Sequence, residues 1–583
     1  MRLKDLDKKI TEQFWVKKVS GKRKISLSDG KVKALPFITI EQQDLSWFYK
    51  ISKGNELAQF TLLTTIYSVF LKRYFEDYDG CITAYINNDQ ARPLLFDLDV
   101  SLLNRSLKDK LQELKTEIAA TLSFADYEPE NIASKIDGRL DQYTPYGIST
   151  KSSDSSELCK GLFIAVKTEA NMSLRLTISY LEGFADENLL LHFFNNFKTL
   201  LCSLEVYLNT GLLDFPLLNE LEKQTLLAGF NDTKTIYPKN HTIVSLFEEQ
   251  VKKTPENIAV IYAERKLNYK QFNAGINQLA NFIAANYAIK KGQVIGVLMP
   301  KSLESVWSLF AIMKLGAVYL PVDPSYPEDR IRQIFKDSEA KLVISINEPS
   351  KSLVLTAANL NLSEVSFNAY PDENLNREIL STDPAYLIYT SGSTGNPKGV
   401  LIRHGSNINM SLDQVKTFSI TETDGILWFA SVSFDASISE IMMAAYSGAK
   451  LIIPEEDIIK DVKQFTRFIQ TSETTVVTFT PGYLKLISVT HLTNLRCIIT
   501  AGEVISRVKA MEIALTGIAC FNAYGPTEYA VCATIYKFDL LRENPFVPIG
   551  KPIANTAVYI LDNNLQLLPL GARGKIYLAG DGL

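Results

Sequence analysis

Along the first 215 residues or so, apolar positions recur at helical spacing in three places. Leu107, Leu111, Leu114, Ile118 and Leu122 fall on one helix face, and Ser106 with Asp109 predicts a capping box in front of it. Two further helices are expected near Ala58–Tyr74 and Glu187–Leu204. Between them, FIAVKTEANMSLRLTISYL (Phe163 to Leu181) alternates in the manner of strands. Residues 150–158 read as a solvated loop, so this first part is mixed α/β. From Asp214 to Asn240 the periodicity weakens, and FNDTKTIYPKNH is rich in turn formers. The domain junction is expected there.

From about His241 the pattern changes to strands alternating with helices. Val294–Met299 reads as a buried strand, SLESVWSLFAIMKLG as an amphipathic helix and Ala317–Asp323 as the next strand. That is a βαβ unit and implies a largely parallel sheet. AYLIYT (Ala385–Thr390) repeats the strand signal and runs directly into TSGSTGNPKG, Thr390 to Gly399.

Composition narrows the function classes. A chain of 583 residues is too long for one core, so at least two domains are expected. A net charge of −4 gives no electrostatic footprint for nucleic acid or an anionic membrane. Six scattered cysteines without a CxxC pair fit reduced thiols better than a disulfide framework or a zinc site. The N-terminus MRLKDLDKKI is charged and no run approaches a membrane span, so the cytoplasm is the expected compartment. Four histidines, none adjacent to another, weaken any Ser–His–Asp reading.

TSGSTGNPKG has the chemistry of a phosphate cradle. Gly392, Gly395 and Gly399 let backbone amides approach oxyanions, Thr390, Ser391, Ser393 and Thr394 add hydroxyls, and Lys398 adds a cation. It is not a Walker A loop, because Lys398 lies between Pro397 and Gly399.

Together these ten residues resemble the phosphate loop of the adenylate-forming superfamily: acyl-CoA synthetases, luciferases and the adenylation domains of nonribosomal peptide synthetases. LNYKQF, MKLGAVYLPVDPSYPEDR, FDAS, NAYGPTE and GKIYLAGDGL resemble further adenylation motifs in the same order. The resemblance covers about 340 residues and implies ATP-dependent amino acid activation. It assigns catalytic roles to Thr390, Lys398, Thr527 and Glu528, with Glu528 as the Mg²⁺ ligand. ATP would meet Thr390, Ser391, Gly392, Ser393, Thr394, Gly395, Lys398, Gly502, Asn522, Ala523, Tyr524, Gly525 and Thr527, with Tyr524 stacking on adenine. His404 lies either near the substrate carboxylate or packed beneath the site.

The same resemblance makes Asp435 the partner of the substrate α-ammonium. The other pocket positions are Ala436, Ser439, Thr478, Ile499, Ala501, Ala523, Val531 and Cys532. This set resembles phenylalanine-activating domains, except that those commonly have tryptophan where this chain has Ser439. The exchange deepens the pocket and adds a hydrogen-bonding group, so tyrosine is expected ahead of phenylalanine. The set holds no second charge to meet a basic or acidic side chain.

Residues from about 13 to 213 resemble the C-terminal lobe of a condensation domain, on QFWVKKVSG, ELAQFTLLTTIYSVFLKRYF and ISYLEGFADENLLLHFFNNFKTLL. That family works through an HHxxxDG motif, which this chain lacks, so condensation activity is not expected. The implied fold is multi-domain α/β: a condensation-type, acetyltransferase-like lobe over residues 1–213, a linker over 214–240, and an adenylation core over 241–583. The core is expected to hold two stacked αβα subdomains plus the start of a small β-barrel. No lid motifs follow Leu583, so a fragment with weak activity of its own is expected. Its partners would be the amino acid, a lid and a carrier domain bearing phosphopantetheine. Another acyl- or aryl-CoA synthetase and a non-catalytic remnant are the alternatives.

Overall fold

Residues 3–20, 22, 31–75, 78–79, 81–85, 94–97, 106–125, 127, 129–136, 143–150, 161–211, 215–347, 357–391, 397–542, 544 and 546–583 are described by a computed structural model of the chain. Two units result, Met1–Gly229 with Tyr559–Tyr577 and Phe230–Val558 with Leu578–Leu583.

In the first unit, α1 (Glu56–Tyr74) starts at Asn55, whose side chain accepts the Ala58 amide at 2.9 Å. Helix α2 (Leu107–Leu122) follows Ser106, whose hydroxyl oxygen accepts the Asp109 amide at 3.2 Å. The expected capping box is only half made. The Asp109 carboxylate takes the Ser106 hydroxyl proton at 2.7 Å instead of reaching the Ser106 backbone amide. Strands β1 (Leu162–Thr168) and β2 (Leu174–Leu181) form an antiparallel hairpin, and α3 (Glu187–Tyr207) is capped by Asp186. Ile164, Val166, Leu174, Leu176 and Ile178 point into one core with α1 and α3, as strand alternation requires. The hairpin belongs to a sheet of seven strands among the described residues. Within the weakly periodic stretch from Asp214, a short helix, Glu220–Gln224, runs into a π-helical turn at Thr225–Gly229. Of the expected loop at 150–158, residues 151–158 lie outside the described residues.

In the second unit, β3 (Val294–Leu298), α4 (Leu303–Lys314) and β4 (Val318–Val322) make the expected βαβ unit, with β3 and β4 parallel. Next to β4 lies β5 (Pro384–Ser391), and antiparallel to it β6 (Pro397–Arg403), the edge of a six-stranded sheet. From β6 the chain enters α5 (His404–Thr417). A sheet of nine strands among the described residues carries the rest. Before its middle strands comes α6 (Ala436–Ser447), then β7 (Val476–Phe479), β8 (Cys497–Thr500) and β9 (Ala519–Tyr524), all three parallel neighbours.

The central strands of both sheets read as apolar runs because they are covered on two faces. Tyr319, Tyr386 and Ile388 of the first sheet and Ile499 and Phe521 of the second share one core with Phe310, Met410, Ile438 and Met442 from the helices between them. Val318, Leu320, Leu387 and Tyr389 face the opposite side of the first sheet, and Val477, Phe479, Ile498 and Cys520 that of the second. This is the stacked pair of αβα layers. After it comes a two-stranded ribbon, Thr556–Leu561 with Lys575–Gly580.

Candidate active site

The glycine loop joins two antiparallel strands rather than a strand and a helix. Thr390 and Lys398 stand opposite each other in the β5–β6 register, and the Thr390 hydroxyl donates to the Lys398 carbonyl at 3.5 Å. The Lys398 side chain is exposed. Gly392, Ser393, Thr394 and Gly395 lie outside the described residues, as does the Ser391 side chain.

NAYGPTE begins on β9. The Asn522 amide donates to the Pro548 carbonyl at 2.8 Å and its oxygen accepts the Thr500 hydroxyl at 3.3 Å, so this side chain braces the strand end. Tyr524 keeps 37% of its surface exposed, leaving a ring face free for stacking. At Gly525 a β-carbon would come within 2.6 Å of the Val531 carbonyl and 2.7 Å of the Ala533 amide nitrogen, so only glycine fits. Thr527–Tyr529 make a 3-10 turn, and Glu528 is exposed at it. Gly502 holds φ +85° just past β8, with nothing within 4 Å of its missing side chain.

Asp435 stands at the N-cap position of α6 but has helical φ/ψ and no side-chain cap hydrogen bond. Its half-buried carboxyl has the Thr527 hydroxyl and the Ala436 amide as neighbours. Burial pushes the carboxyl above the ordinary aspartate range, these two donors oppose the rise, and the nearby Glu528 charge adds to it. A cation placed here would relieve that desolvated negative charge.

Strand register sets several of the expected pocket positions. Thr478 on β7 pairs with Ile499 on β8, and Ile499, Ala501, Ala523, Val531 and Cys532 all pack toward the inner core. Ser439, one turn into α6, is 5% exposed. Thr478, Ile499, Ala501 and Ala523 lie at or just past the carboxyl ends of parallel strands, where ligands sit in open α/β sheets.

His404 is packed beneath the site. It is fully buried, its Nδ1 accepts the Ile243 amide at 3.3 Å, and burial lowers its pKa to about 4. It is therefore neutral at neutral pH.

Sequence motifs missed several residues. The loop entering α6 is tied by Lys301, which donates to the Trp428 carbonyl at 3.4 Å and to that of Phe429. Glu440 accepts the Ala430 amide at 3.0 Å, and Asp323 accepts the Ser431 hydroxyl at 2.7 Å. Burial raises Glu440 and lowers Lys301, with each charge opposing the other's shift. On α5, Gln414 accepts the Ser439 hydroxyl at 2.6 Å. Asp413 is the adjacent residue on α5. Burial raises Asp413 as well, against hydrogen bonds from the Ala554 amide and the Thr417 hydroxyl. No local periodicity marks these contacts, because they depend on how α5 packs on α6.

The AMP-binding enzyme family matches residues 247–583. The chain belongs to that family. This AMP-binding enzyme is 38% identical to gramicidin S synthase 1 of Brevibacillus brevis over 371 residues, covering 62% of this chain and 33% of that protein. Bacitracin synthase 1 of Bacillus licheniformis is 29% identical over 579 residues, which is 94% of this chain and 11% of that one. A solved four-domain nonribosomal peptide synthetase, bound to AMP and glycine, shares the fold with a TM-score of 0.84 at 17% identity, over 98% of this chain and 47% of that chain. The chain thus spans a third or less of the two curated relatives. No described helix is long and apolar enough to cross a membrane, and no metal-holding cluster of three or more His, Cys, Asp or Glu occurs among the described residues.

Proposed function

We propose that this chain is the amino-acid-activating part of a nonribosomal peptide synthetase, acting in the cytoplasm, with an aromatic substrate and tyrosine ahead of phenylalanine. Residues 241–583 are the adenylation core, 214–240 the linker and 1–213 a condensation-type lobe without its catalytic motif. The observation that carries the reading is the half-buried Asp435 carboxylate at the head of α6, with the Thr527 hydroxyl and Glu528 as neighbours. An α-ammonium is the ligand group that such a carboxylate selects, and a plain acyl or aryl acid has none.

In the proposed reaction a substrate carboxylate oxygen attacks the α-phosphorus of ATP. The bond to the bridging oxygen breaks, and pyrophosphate leaves with the electron pair. Asp435 holds the ammonium and Thr527 lies where the α-phosphate would be met. Thr390, Lys398 and the loop glycines bind the departing phosphates, and Tyr524 stacks on adenine. Mg²⁺, when bound, neutralises phosphate charge; the exposed Glu528 suits it, since this ion is commonly held by one or two carboxylates plus substrate phosphates. The aminoacyl group would then pass to phosphopantetheine on a carrier domain.

Amino-acid-dependent exchange of labelled pyrophosphate into ATP tests this reading. Tyrosine should support the fastest exchange and phenylalanine a slower one. A lead for an aliphatic or charged amino acid would overturn the aromatic assignment.

A further inference from the structure

Gln414 lies outside the pocket positions that the family resemblance supplies, yet its side chain is hydrogen-bonded to one of them, Ser439. It is 3% exposed on α5, and an amide so buried costs free energy unless its hydrogen bonds are made. Its Oε1 accepts the Ser439 hydroxyl proton at 2.6 Å. Serine has one hydroxyl proton, and here it is committed. Ser439 therefore presents only lone pairs to anything else it meets.

We propose that Gln414 is a specificity-determining residue, holding Ser439 as an acceptor so that the pocket selects an amino acid whose side chain ends in a hydrogen-bond donor. This rests on the aromatic-pocket reading and deepens it. A phenol donates to the waiting lone pairs. A side chain of similar size that only accepts leaves them facing another electronegative atom. The selection is thus set by a residue behind the pocket wall, acting through Ser439.

Calorimetric binding of tyrosyl-, 4-fluorophenylalanyl- and leucyl-sulfamoyladenosine to the full chain tests it. Tyrosyl and 4-fluorophenylalanyl groups match in size and differ in whether the para atom donates. The unaltered chain should prefer the tyrosyl compound by at least about tenfold. Gln414→Met frees the Ser439 proton and should bring the two aromatic compounds within about threefold of each other, while Gln414→Glu, which keeps the acceptor, restores the preference. Ser439→Ala removes the lone pairs and should abolish the preference too, so the test does not depend on Gln414→Met folding. An undiminished preference in Gln414→Met or in Ser439→Ala overturns the proposal and leaves the aromatic pocket standing. Tighter binding of the leucyl compound to the unaltered chain overturns both.

Discussion

Asp435, at the head of α6, has the Thr527 hydroxyl of the turn that follows β9 as a neighbour that lowers its carboxyl against the rise burial imposes. The pair joins the segment that would read the amino acid to the segment that would read the phosphates.

Replacing Asp435 by alanine should weaken amino acid binding by about 2–5 kcal/mol, because the ammonium would enter a desolvated site without its counter-charge. ATP binding alone should change little. Titration calorimetry with each ligand separates the two, and equal losses for both would contradict the assigned role.

Acid should weaken amino acid binding early. Burial holds the Asp435 carboxyl above its ordinary value, so the pairing carboxylate is lost as pH falls through that raised value, sooner than for a solvated aspartate. The sign for stability is opposite. Between the unfolded value and the raised folded one, the folded state binds more protons, so this group's contribution falls as pH rises through that window. Affinity measured on acid titration should therefore drop above pH about 4, the range of an ordinary aspartate. Asp435→Asn should flatten that profile.

Gly525→Ala should disturb the ATP end of the site. The added methyl would sit 2.6–2.7 Å from the backbone of residues 531–533, forcing apart the loop that carries Thr527 and Glu528. A loss of about 2 kcal/mol in stability is expected, with weaker ATP binding, both readable by denaturant melts with and without nucleotide.

Away from the ligands, Arg496 grips Asp424 with two hydrogen bonds of 2.7 Å and reaches the carbonyls of Phe418 and Ser419. Burial alone would raise the Asp424 carboxyl, but bonds from Arg496, Thr475 and the Thr421 amide bring it down to about 2. Its contribution is therefore full above about pH 4 and lost as pH falls through that depressed value. Asp424→Asn should cost about 2 kcal/mol in a neutral-pH denaturant melt, and substantially less in acid.

Much of this was readable along the chain, for identifiable reasons. Leucines at 107, 111, 114 and 122 mark α2 because a helix burying one face repeats its apolar residues. The β3–α4–β4 unit was legible because strands covered on both faces become apolar runs. The Ser106 box was half right: the same side chains present a choice between two hydrogen bonds that sequence does not rank. Gln414, Lys301 and Glu440 stayed invisible. Their partners, Ser439 and the loop around Phe429, reach them only through helix and strand packing across the second unit. The glycine at 525 announced itself as part of a motif, but its reason, the closeness of residues 531–533, needed coordinates.

The most direct test of the central claim compares tyrosyl-sulfamoyladenosine with its desamino counterpart, which differs only in lacking the α-ammonium. If Asp435 is the ammonium anchor of an amino-acid-activating site, the tyrosyl compound should bind at least about thirtyfold more tightly, and Asp435→Ala should erase the difference. Equal affinity of the two compounds for the unaltered chain would contradict the account.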